Sequence, residues 1–265
     1  KVAIQLNDTH PAIAVAELMY RLIDREDVPW ETAWDITVKT FGYTNHTLLP
    51  EALEKWPVDF FARFLPRHLQ IIYEINRRFL EKVSLHYPGD VDKLRKLSLV
   101  EEEPQKQIRM AYLAVIGSHS INGVAELHTE LLKKTLFKDF YEIFPERFNN
   151  KTNGITQRRW LLKSNPDLSK WITDKIGNKW IINLDDLKKL EKYVDDNEAV
   201  ESFRKIKIQN KQKLSELIEH ETGIKVSPEA MFDVQIKRIH EYKRQLLNVL
   251  HIVTLYNRLK ADPSL

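Results

Sequence analysis

One short stretch near the end of the sequence combines four cationic side chains with a histidine. It holds Lys237, Arg238, His240, Lys243 and Arg244 within eight residues. Ammonium and guanidinium groups at a helix start bind phosphate well, because backbone N–H groups and the helix dipole act with them. The stretch therefore favours an anion site. A solvated turn whose cations pair with neighbouring carboxylates accounts for the same pattern, and spacing alone does not separate the two.

Two further polar clusters carry histidine and carboxylate groups. Asp8 and His10 stand in the first, and His46 follows Asn45 in the second. Histidine is suited to proton transfer near neutral pH, and Asn or His side chains can hold a sugar hydroxyl. The competing interpretations are structural: Asn and Thr side chains stabilise turns, and Asp8 can cap a helix.

An Asn-rich loop precedes a basic and aromatic step. The loop runs over residues 150–154 and includes Asn153, and Arg158, Arg159 and Trp160 follow. Asn amides suit bidentate contacts to sugar hydroxyls, and an indole suits stacking on a ring. A domain linker followed by a core tryptophan is the alternative.

Gln70, Tyr73, Asn76 and Arg77 share one side of a long predicted helix and could bind an oligosaccharide, although a solvated helix face has the same composition. The scattered histidines show no metal-ligand spacing, so no metal site is predicted. No glycine-rich phosphate loop is present among the seven glycines.

Alternation and helical spacing indicate the elements that position these clusters. Strands are predicted over residues 2–6, 40–44 and 232–236, and a turn over residues 121–123. Helices are predicted over residues 31–39, 64–83, 111–118, 125–134 and 245–259, with polar helices between residues 165 and 221. Strand–loop–helix units predict α/β layers in which helix dominates. Three of the polar clusters follow predicted strands, where such sheets hold their ligands, so we expect one composite site.

Composition excludes several classes of protein. Lys and Arg total 41 against 38 for Asp and Glu, and this balance argues against a nucleic-acid binder despite a pI of about 8.8. The 265 residues contain no Cys, which excludes disulfides and Cys-ligated metals. No apolar run approaches the ~20 residues that cross a bilayer. The first residues resemble a strand taken from a longer chain, so we expect a fragment.

Six segments together resemble the α-glucan (glycogen/starch) phosphorylase family, in the order in which that family has them. They are residues 2–11 (VAIQLNDTHP), 43–50 (YTNHTLLP), 65–79 (LPRHLQIIYEINRRF), 118–124 (SHSINGV), 150–160 (NKTNGITQRRW) and 232–248 (FDVQIKRIHEYKRQLLN). The resemblance extends over nearly the whole chain, and the last two segments are the most specific.

The resemblance implies an α/β, helix-rich fragment of a GT-B-type two-domain Rossmann-like glycosyltransferase fold. Residues 1–152 would form the C-terminal part of the N-terminal glucan and effector domain. Residues 153–265 would form the beginning of the C-terminal domain, which binds pyridoxal 5'-phosphate (PLP). The implied enzyme cleaves the ends of an α-1,4-glucan or maltooligosaccharide with inorganic phosphate and releases α-D-glucose 1-phosphate with retention. A cytoplasmic homodimer is implied, or a plastid enzyme if the protein is plant-like, with no nucleic acid or membrane partner.

The resemblance also assigns roles to residues that match its motifs. Arg238, Lys243 and His46 would be catalytic, with the two cations on the substrate phosphate. The glucosyl unit would lie near Asn153, Tyr242, Asp8 and His10. Lys237 and Trp160 would contact PLP. A remote glycogen storage site would involve Gln70, Tyr73, Asn76, Arg78 and Glu102.

The chain departs from the family pattern at Gln157, where Pro is usual, and we expect only a small backbone effect. In the family the Lys that binds PLP covalently lies beyond residue 265, so we expect residues 1–265 alone to be inactive. Three alternatives remain: a GT-B nucleotide-sugar transferase, a non-catalytic glucan-binding phosphorylase-like protein, and a basic nucleic-acid binder.

Overall fold

The computed structural model describes residues 2–265. The chain forms two compact units, and the boundary between them falls between Gly154 and Ile155, at the end of the Asn-rich loop. That these units correspond to the domains 1–152 and 153–265 stays a prediction. Each unit is described separately below.

A parallel four-stranded sheet forms the centre of the first unit. Its strands are β1 (Ile4–Asn7), β2 (Phe41–Thr44), β6 (Ser120–Gly123) and β7 (Phe148–Asn150), in the spatial order β1-β2-β6-β7. One part of this sheet differs from the prediction. Residues 121–123 are predicted as a turn, but they belong to β6, one of the two inner strands. One row of side chains pairs across the sheet and is buried, and it consists of Leu6, Tyr43, Ile121 and Phe148.

Residues 2–154 of the first unit contain eight α-helices. They are α1 (Ala14–Tyr20), α2 (Trp30–Thr40), α3 (Val58–Phe64), α4 (Pro66–His86), α5 (Val91–Leu97), α6 (Met110–Ile116), α7 (Glu126–Lys134) and α8 (Lys138–Ile143). The helix predicted over residues 64–83 is confirmed as α4. Proline occupies its first position, where a missing N–H costs nothing, and apolar residues at helical spacing bury one face. That face consists of Leu69, Ile71, Ile72, Ile75, Phe79 and Val83.

A small antiparallel sheet lies in the segment between β2 and β6. It consists of β3 (Lys55–Pro57), β4 (Val100–Glu101) and β5 (Gln107–Arg109), with β5 in the middle. Glu101 of β4 pairs with Lys55 of β3 at 2.7 Å and with Arg109 of β5 at 3.3 Å. These ion pairs lower the pKa of Glu101, the hydrogen bond from Lys55 most of all.

All regular secondary structure in the second unit is helical. Its α-helices are α9 (Pro166–Ile176), α10 (Asn197–Thr222) and α11 (Gln245–Ala261). Asn165 caps α9 through Leu168 N, and Asp196 caps α10 through the N–H groups of Glu198 and Ala199. The fully buried Trp180 lies in the turn Lys179–Ile181 and donates from its indole to Thr173 Oγ1 at 3.2 Å.

The strand predicted over residues 232–236 is wrong. Residues 155–265 contain no strand, and residues 224–240 form no helix either. The alternation of Phe232, Val234 and Ile236 with polar residues remains, but a strand needs a neighbour to accept its backbone hydrogen bonds, and none pairs with this segment. Within residues 2–265, no helix is both long enough and apolar enough to cross a membrane.

Candidate functional site

Polar side chains collect at the carboxyl edge of the four-stranded sheet. Because the strands are parallel, their carboxyl ends lie at the same edge. Thr44 Oγ1 donates to Asn122 Oδ1 at 2.9 Å, so that the ends of β2 and β6 are joined by side chains. Thr129 of α7 donates to Asn150 Oδ1 at the end of β7, at 3.0 Å. Hydrogen-bonded polar side chains therefore line this edge, and the residues of the first unit that are predicted to contact the glucosyl unit follow its strands.

Asp8 and His10 lie directly beyond β1. Asp8 has a φ of 66°, a left-handed conformation that Asp adopts more readily than most residues, and its carboxylate accepts from Thr9 N at 2.7 Å. Helix capping does not account for Asp8, because α1 begins only at Ala14 and has no side-chain cap. Glu54 joins this cluster from before β3: it accepts from Thr9 Oγ1 at 2.7 Å, and its other oxygen lies 3.2 Å from His10 Nδ1.

His46 lies at the same edge, beyond β2. Its imidazole is exposed, and Nε2 lies 2.6 Å from Oδ1 of Asn7 at the end of β1. An amide oxygen can only accept, so this contact places the proton of the neutral ring on Nε2. Nδ1 is then an acceptor that can receive a hydrogen bond from a hydroxyl group.

The loop after β7 brings Asn153 to this edge. Its backbone N–H donates to the carbonyl of Val124, the residue after β6, at 2.9 Å, while its side chain is exposed. Asn150 donates to Glu126 Oε2 at 3.1 Å and to Thr152 Oγ1 at 3.0 Å, which fixes the start of the loop. Asp8, His10, His46 and Asn153 therefore belong to one edge of one sheet.

The cationic segment of the second unit lies immediately before α11. Lys243 donates to the Arg238 carbonyl at 2.6 Å, and the Gln245 amide lies 3.3 Å from the Lys237 carbonyl. Tyr242 N donates to His240 Nδ1 at 3.3 Å, and the rings of these two residues lie 4.6 Å apart. The segment is thus held by its own backbone carbonyls, at a helix start as predicted, but without the preceding strand.

The four cations of this segment make no ion pair with any carboxylate of residues 2–265. Lys237, Arg238 and Arg244 are exposed, and Lys243 is half-buried. The alternative in which the charges are neutralised by neighbouring carboxylates is therefore not found, even though Glu241 lies among them. Unpaired cations that precede a helix can bind an anion.

Trp160 and Lys237 are the two residues predicted to contact PLP, and both lie in the second unit. Trp160 belongs to the helical turn Arg158–Lys163, and its side chain is 69% exposed. It is therefore no core tryptophan, in contrast to the alternative from sequence. Gln157 beside it is buried, and its amide donates to the Ile181 carbonyl at 2.9 Å. An exposed indole and an exposed ammonium fit the ring and the phosphate of PLP in their chemistry.

The residues predicted for a remote glucan site do not all share one surface. Tyr73 is 39% exposed, and Glu102 pairs with Lys106 at 3.0 Å. Asn76 instead points inward: Oδ1 accepts from Leu99 N at 2.8 Å, and the amide donates to Ser98 Oγ at 3.2 Å.

Arg78 lies on a different part of α4 from Asn76. Its guanidinium stacks on the Trp30 ring of α2 at 4.8 Å and pairs with Glu31 and Glu74. Gln70, the fifth member, accepts from Arg67 at 3.0 Å. Nowhere in residues 2–265 do three His, Cys, Asp or Glu side chains form a group that could hold a metal ion.

In a comparison with protein families, the carbohydrate phosphorylase family matches residues 1–265. The chain belongs to the carbohydrate phosphorylase family. This membership confirms the resemblance inferred from the six segments. It also confirms the fold class, because the helix-rich α/β architecture with a parallel sheet agrees with the GT-B-type fold of this family.

Curated phosphorylases are similar to this chain along its whole length. The muscle forms of glycogen phosphorylase from Ovis aries and Mus musculus are 58% and 59% identical to it over 264 residues. The brain form from Pongo abelii is 58% identical over 264 residues. In each case the match covers 100% of this chain and 31% of the relative. The chain thus spans about a third of the length of these phosphorylases.

Proposed function

We propose that the full-length protein is an α-glucan phosphorylase, a glycosyltransferase that cleaves the non-reducing ends of glycogen or a related α-1,4-glucan with inorganic phosphate. The observation that carries this proposal is the family match over all 265 residues, together with 58% identity to glycogen phosphorylases. The product is α-D-glucose 1-phosphate, with retention of configuration. No observation favours a non-catalytic glucan-binding protein, a nucleotide-sugar transferase or a nucleic-acid binder.

The carboxyl edge of the sheet supplies groups suited to the sugar. His46 Nδ1 can accept from one hydroxyl, and the Asn153 amide can both donate and accept. Asp8 and His10 complete the glucosyl contacts proposed for this edge, and the Glu54 carboxylate fixes the Asp8–His10 turn through Thr9 and His10. Tyr242, which belongs to the second unit, is also proposed to contact the glucosyl unit, on the basis of the family resemblance. Hydrogen bonds that strengthen as charge develops on the sugar lower the barrier to cleavage.

The cationic segment supplies groups suited to phosphate. Arg238 and Lys243 would hold the substrate phosphate, since they make no ion pair within the described residues, and a guanidinium can bind two phosphate oxygens at once. Lys237 would hold the phosphate of PLP, and Trp160 would pack against the cofactor. PLP in this family supplies a phosphate group that donates and accepts a proton. Two adjacent phosphates repel each other, which explains the need for several cations before one helix.

The remaining assignments rest on the resemblance and the relatives. We include in the proposal PLP bound covalently by a lysine outside this chain, a homodimer and a cytoplasmic location. The relatives are muscle and brain forms from animals, so nothing supports a plastid location. A glucan storage surface around Tyr73, Gln70 and Glu102 is also proposed, with Asn76 and Arg78 as residues that shape α4 beside it.

Arg238→Ala in the full-length protein tests the proposal. Glucose 1-phosphate release is measured against phosphate and maltooligosaccharide concentration. We expect a large rise in the KM for phosphate, since a desolvated charge-assisted contact is worth roughly 2–5 kcal/mol. Arg238→Lys should rescue poorly, because an ammonium lacks the fork of the guanidinium.

Arg204→Ala is the matched control, because this exposed Arg on α10 forms its one ion pair within residues 2–265 with Glu201 on the same helix, at 3.1 Å. It should leave both KM values unchanged. Phosphate dependence near that of the wild type in Arg238→Ala would refute the assignment of Arg238. A wild-type protein that binds glucan and releases no glucose 1-phosphate would refute the proposed activity.

A further inference from the structure

His128 of α7 has two hydrogen bonds that define its protonation state. Its Nδ1 accepts from the backbone N–H of Val124 at 3.0 Å, so Nδ1 carries no proton. The proton of the neutral ring therefore lies on Nε2, which is 3.1 Å from Asn45 Oδ1 and donates to it. The pKa of His128 is lowered, mainly by burial, and this agrees with a neutral ring.

Asn45 transmits this contact to the start of the loop that bears His46. Its side chain is fully buried, and the oxygen that accepts from His128 also accepts from Thr47 N at 3.0 Å. Its amide donates to the hydroxyl of the buried Tyr43, at 3.2 Å. The residues on both sides of His46 are thereby fixed, and the His46 ring itself contacts Asn7.

Val124 transmits the other contact to the loop that bears Asn153. Its N–H donates to His128, and its carbonyl accepts from Asn153 N at 2.9 Å. One imidazole therefore connects, through a single residue on each side, the two loops proposed to hold the glucosyl unit. The strands that precede these two loops, β2 and β7, do not pair with each other, because β6 lies between them.

We infer that His128 is a positioning residue for glucan: in its neutral Nε2–H form it sets the spacing between His46 and Asn153 without contacting the substrate. A hydrogen-bonded bridge of this kind keeps two binding groups within the narrow range of geometry that catalysis requires. The role in binding glucan rests on the proposed function, and so does its test by enzyme activity. The hydrogen-bonded bridge itself can be tested without it.

Three substitutions separate the two halves of the bridge. His128→Phe keeps the ring volume and removes both hydrogen bonds. His128→Asn places an amide near the Nδ1 position and can keep the contact to Val124. His128→Gln places it near Nε2 and can keep the contact to Asn45. His119→Phe is the control, because this exposed His precedes β6 at the opposite end of the strand. Its ring lies 3.1 Å from the Val38 carbonyl, and its backbone N–H, which the substitution keeps, donates to the Phe41 carbonyl at 3.0 Å.

In the full-length enzyme we expect His128→Phe to lower kcat/KM for maltooligosaccharide roughly ten- to hundredfold. The KM for phosphate should stay within about twofold, since the cations belong to the other unit. Asn and Gln should each recover part of the loss, and His119→Phe should behave as wild type. Unchanged kcat/KM for glucan in His128→Phe, or an equal loss toward phosphate, would overturn the inference.

Hydrogen exchange measured by mass spectrometry gives a second result that does not depend on activity. In His128→Phe, and more weakly in the Asn and Gln variants, the amides of Thr47 and Asn153 should exchange about tenfold faster, since each loop loses a fixed partner. Unchanged exchange in both loops would overturn the inference even if the proposed activity fails. If the Phe variant does not fold, the Asn and Gln variants decide the question.

Discussion

At the scale of single residues, Tyr73 and Asn76 are neighbours on α4 with different surroundings. Tyr73 is partly exposed near Lys106, which pairs with Glu102, whereas Asn76 accepts a hydrogen bond from the backbone N–H of Leu99. A sequence pattern cannot show this difference, because both residues are polar and lie three positions apart. Only the position of the segment Ser98–Leu99, more than twenty residues away, determines which of them points inward.

Tyr73→Ala should weaken binding of the full-length protein to polymeric glycogen while turnover of short maltooligosaccharides is retained. The reason is that Tyr73 lies on a helix and not at the carboxyl edge of the sheet.

Asn76→Ala should instead lower the free energy of unfolding by about 1–3 kcal/mol, because it leaves Leu99 N without its partner. Glycogen cosedimentation and thermal unfolding measure the two effects, with Leu85→Ala, on the exposed end of α4, as the control. Equal losses on polymer and short substrates would contradict a remote site.

Glu74 provides a test of electrostatics on the same helix. Hydrogen bonds from Arg77, and then from Arg78, lower its pKa to about 2. Because the pKa is lower in the folded state, the stabilisation is present above the ordinary value of 4.5 and is lost as the pH falls toward 2. The Tm difference between wild type and Glu74→Gln should therefore be largest near neutral pH and shrink below pH ~4.5.

Since the Glu74 carboxylate is partly exposed, the difference at neutral pH should be modest. Glu216→Gln, at an exposed position of α10 without an ion pair in residues 2–265, is the control and should show a smaller difference at every pH. If the Tm difference between wild type and Glu74→Gln increases as the pH falls, Glu74 does not stabilise the fold through its charge.

At the scale of elements, α7 approaches the end of β6 only because residue 123 is glycine. A Cβ on Gly123 would lie 2.4 Å from Thr129 Oγ1 and 3.0 Å from the Thr129 backbone. Gly123→Ala should displace α7 and lower the free energy of unfolding by about 1–3 kcal/mol. It should also impair glucan turnover, since α7 carries His128.

Gly42→Ala in β2 is the matched substitution in the same sheet. The three atoms nearest to a Cβ at this position would all belong to the end of the flexible Gln5 side chain, with Oε1 closest at 2.6 Å. Thermal unfolding of both variants should show a much smaller loss for Gly42→Ala. Equal losses would mean that the contact with the α7 backbone is not the cause.

Elements stabilised by their own sequence could be predicted, and elements that depend on distant partners could not. The amphipathic spacing from Leu69 to Phe79 predicts α4 because the helix bonds are internal. Residues 121–123 resemble a turn in sequence, but they form a strand because β2 and β7 pair with them from both sides. The alternation around Val234 predicts a strand, yet no neighbouring strand is present to pair with it.

The candidate site divides in the same way. That Asp8 and His46 lie at the carboxyl edge could be predicted because each follows a predicted strand, whereas Asn153 lies in the Asn-rich loop and was placed near them only by the family resemblance. Glu54 and His128 were missed. Glu54 meets Thr9 across 45 residues, and His128 meets Asn45 across 83, so no local signal marks either of them.

At the scale of the whole molecule, α11 has no apolar face that is buried. Most of its aliphatic and aromatic residues are exposed and Leu255 is half-buried; the exposed ones include Leu246, Leu247, Val249, Leu250, Ile252, Val253 and Tyr256. A helix that is apolar all round is stable only when other elements cover it. We therefore expect the 265-residue polypeptide, expressed by itself, to self-associate through this helix.

Leu250→Lys combined with Val253→Lys should reduce that association, as measured by light scattering and size exclusion. The control is Gln209→Lys with Gln212→Lys, which adds the same charge at the same spacing on the exposed surface of α10. Equal improvement in both pairs would assign the effect to net charge. A polypeptide that is monomeric without any substitution would contradict the prediction.

The segment from β3 to α6 is inserted between two strands that lie side by side. β2 ends at Thr44 and β6 begins at Ser120, and the two strands pair directly, so the intervening helices and small sheet leave the central sheet and return to it at adjacent places. Substitutions of exposed side chains around Tyr73 and Glu102 therefore need not disturb the backbone pairing of β2 with β6. The surface of α4 and the edge that carries His46 can consequently diverge at different rates among descendants of one ancestral gene.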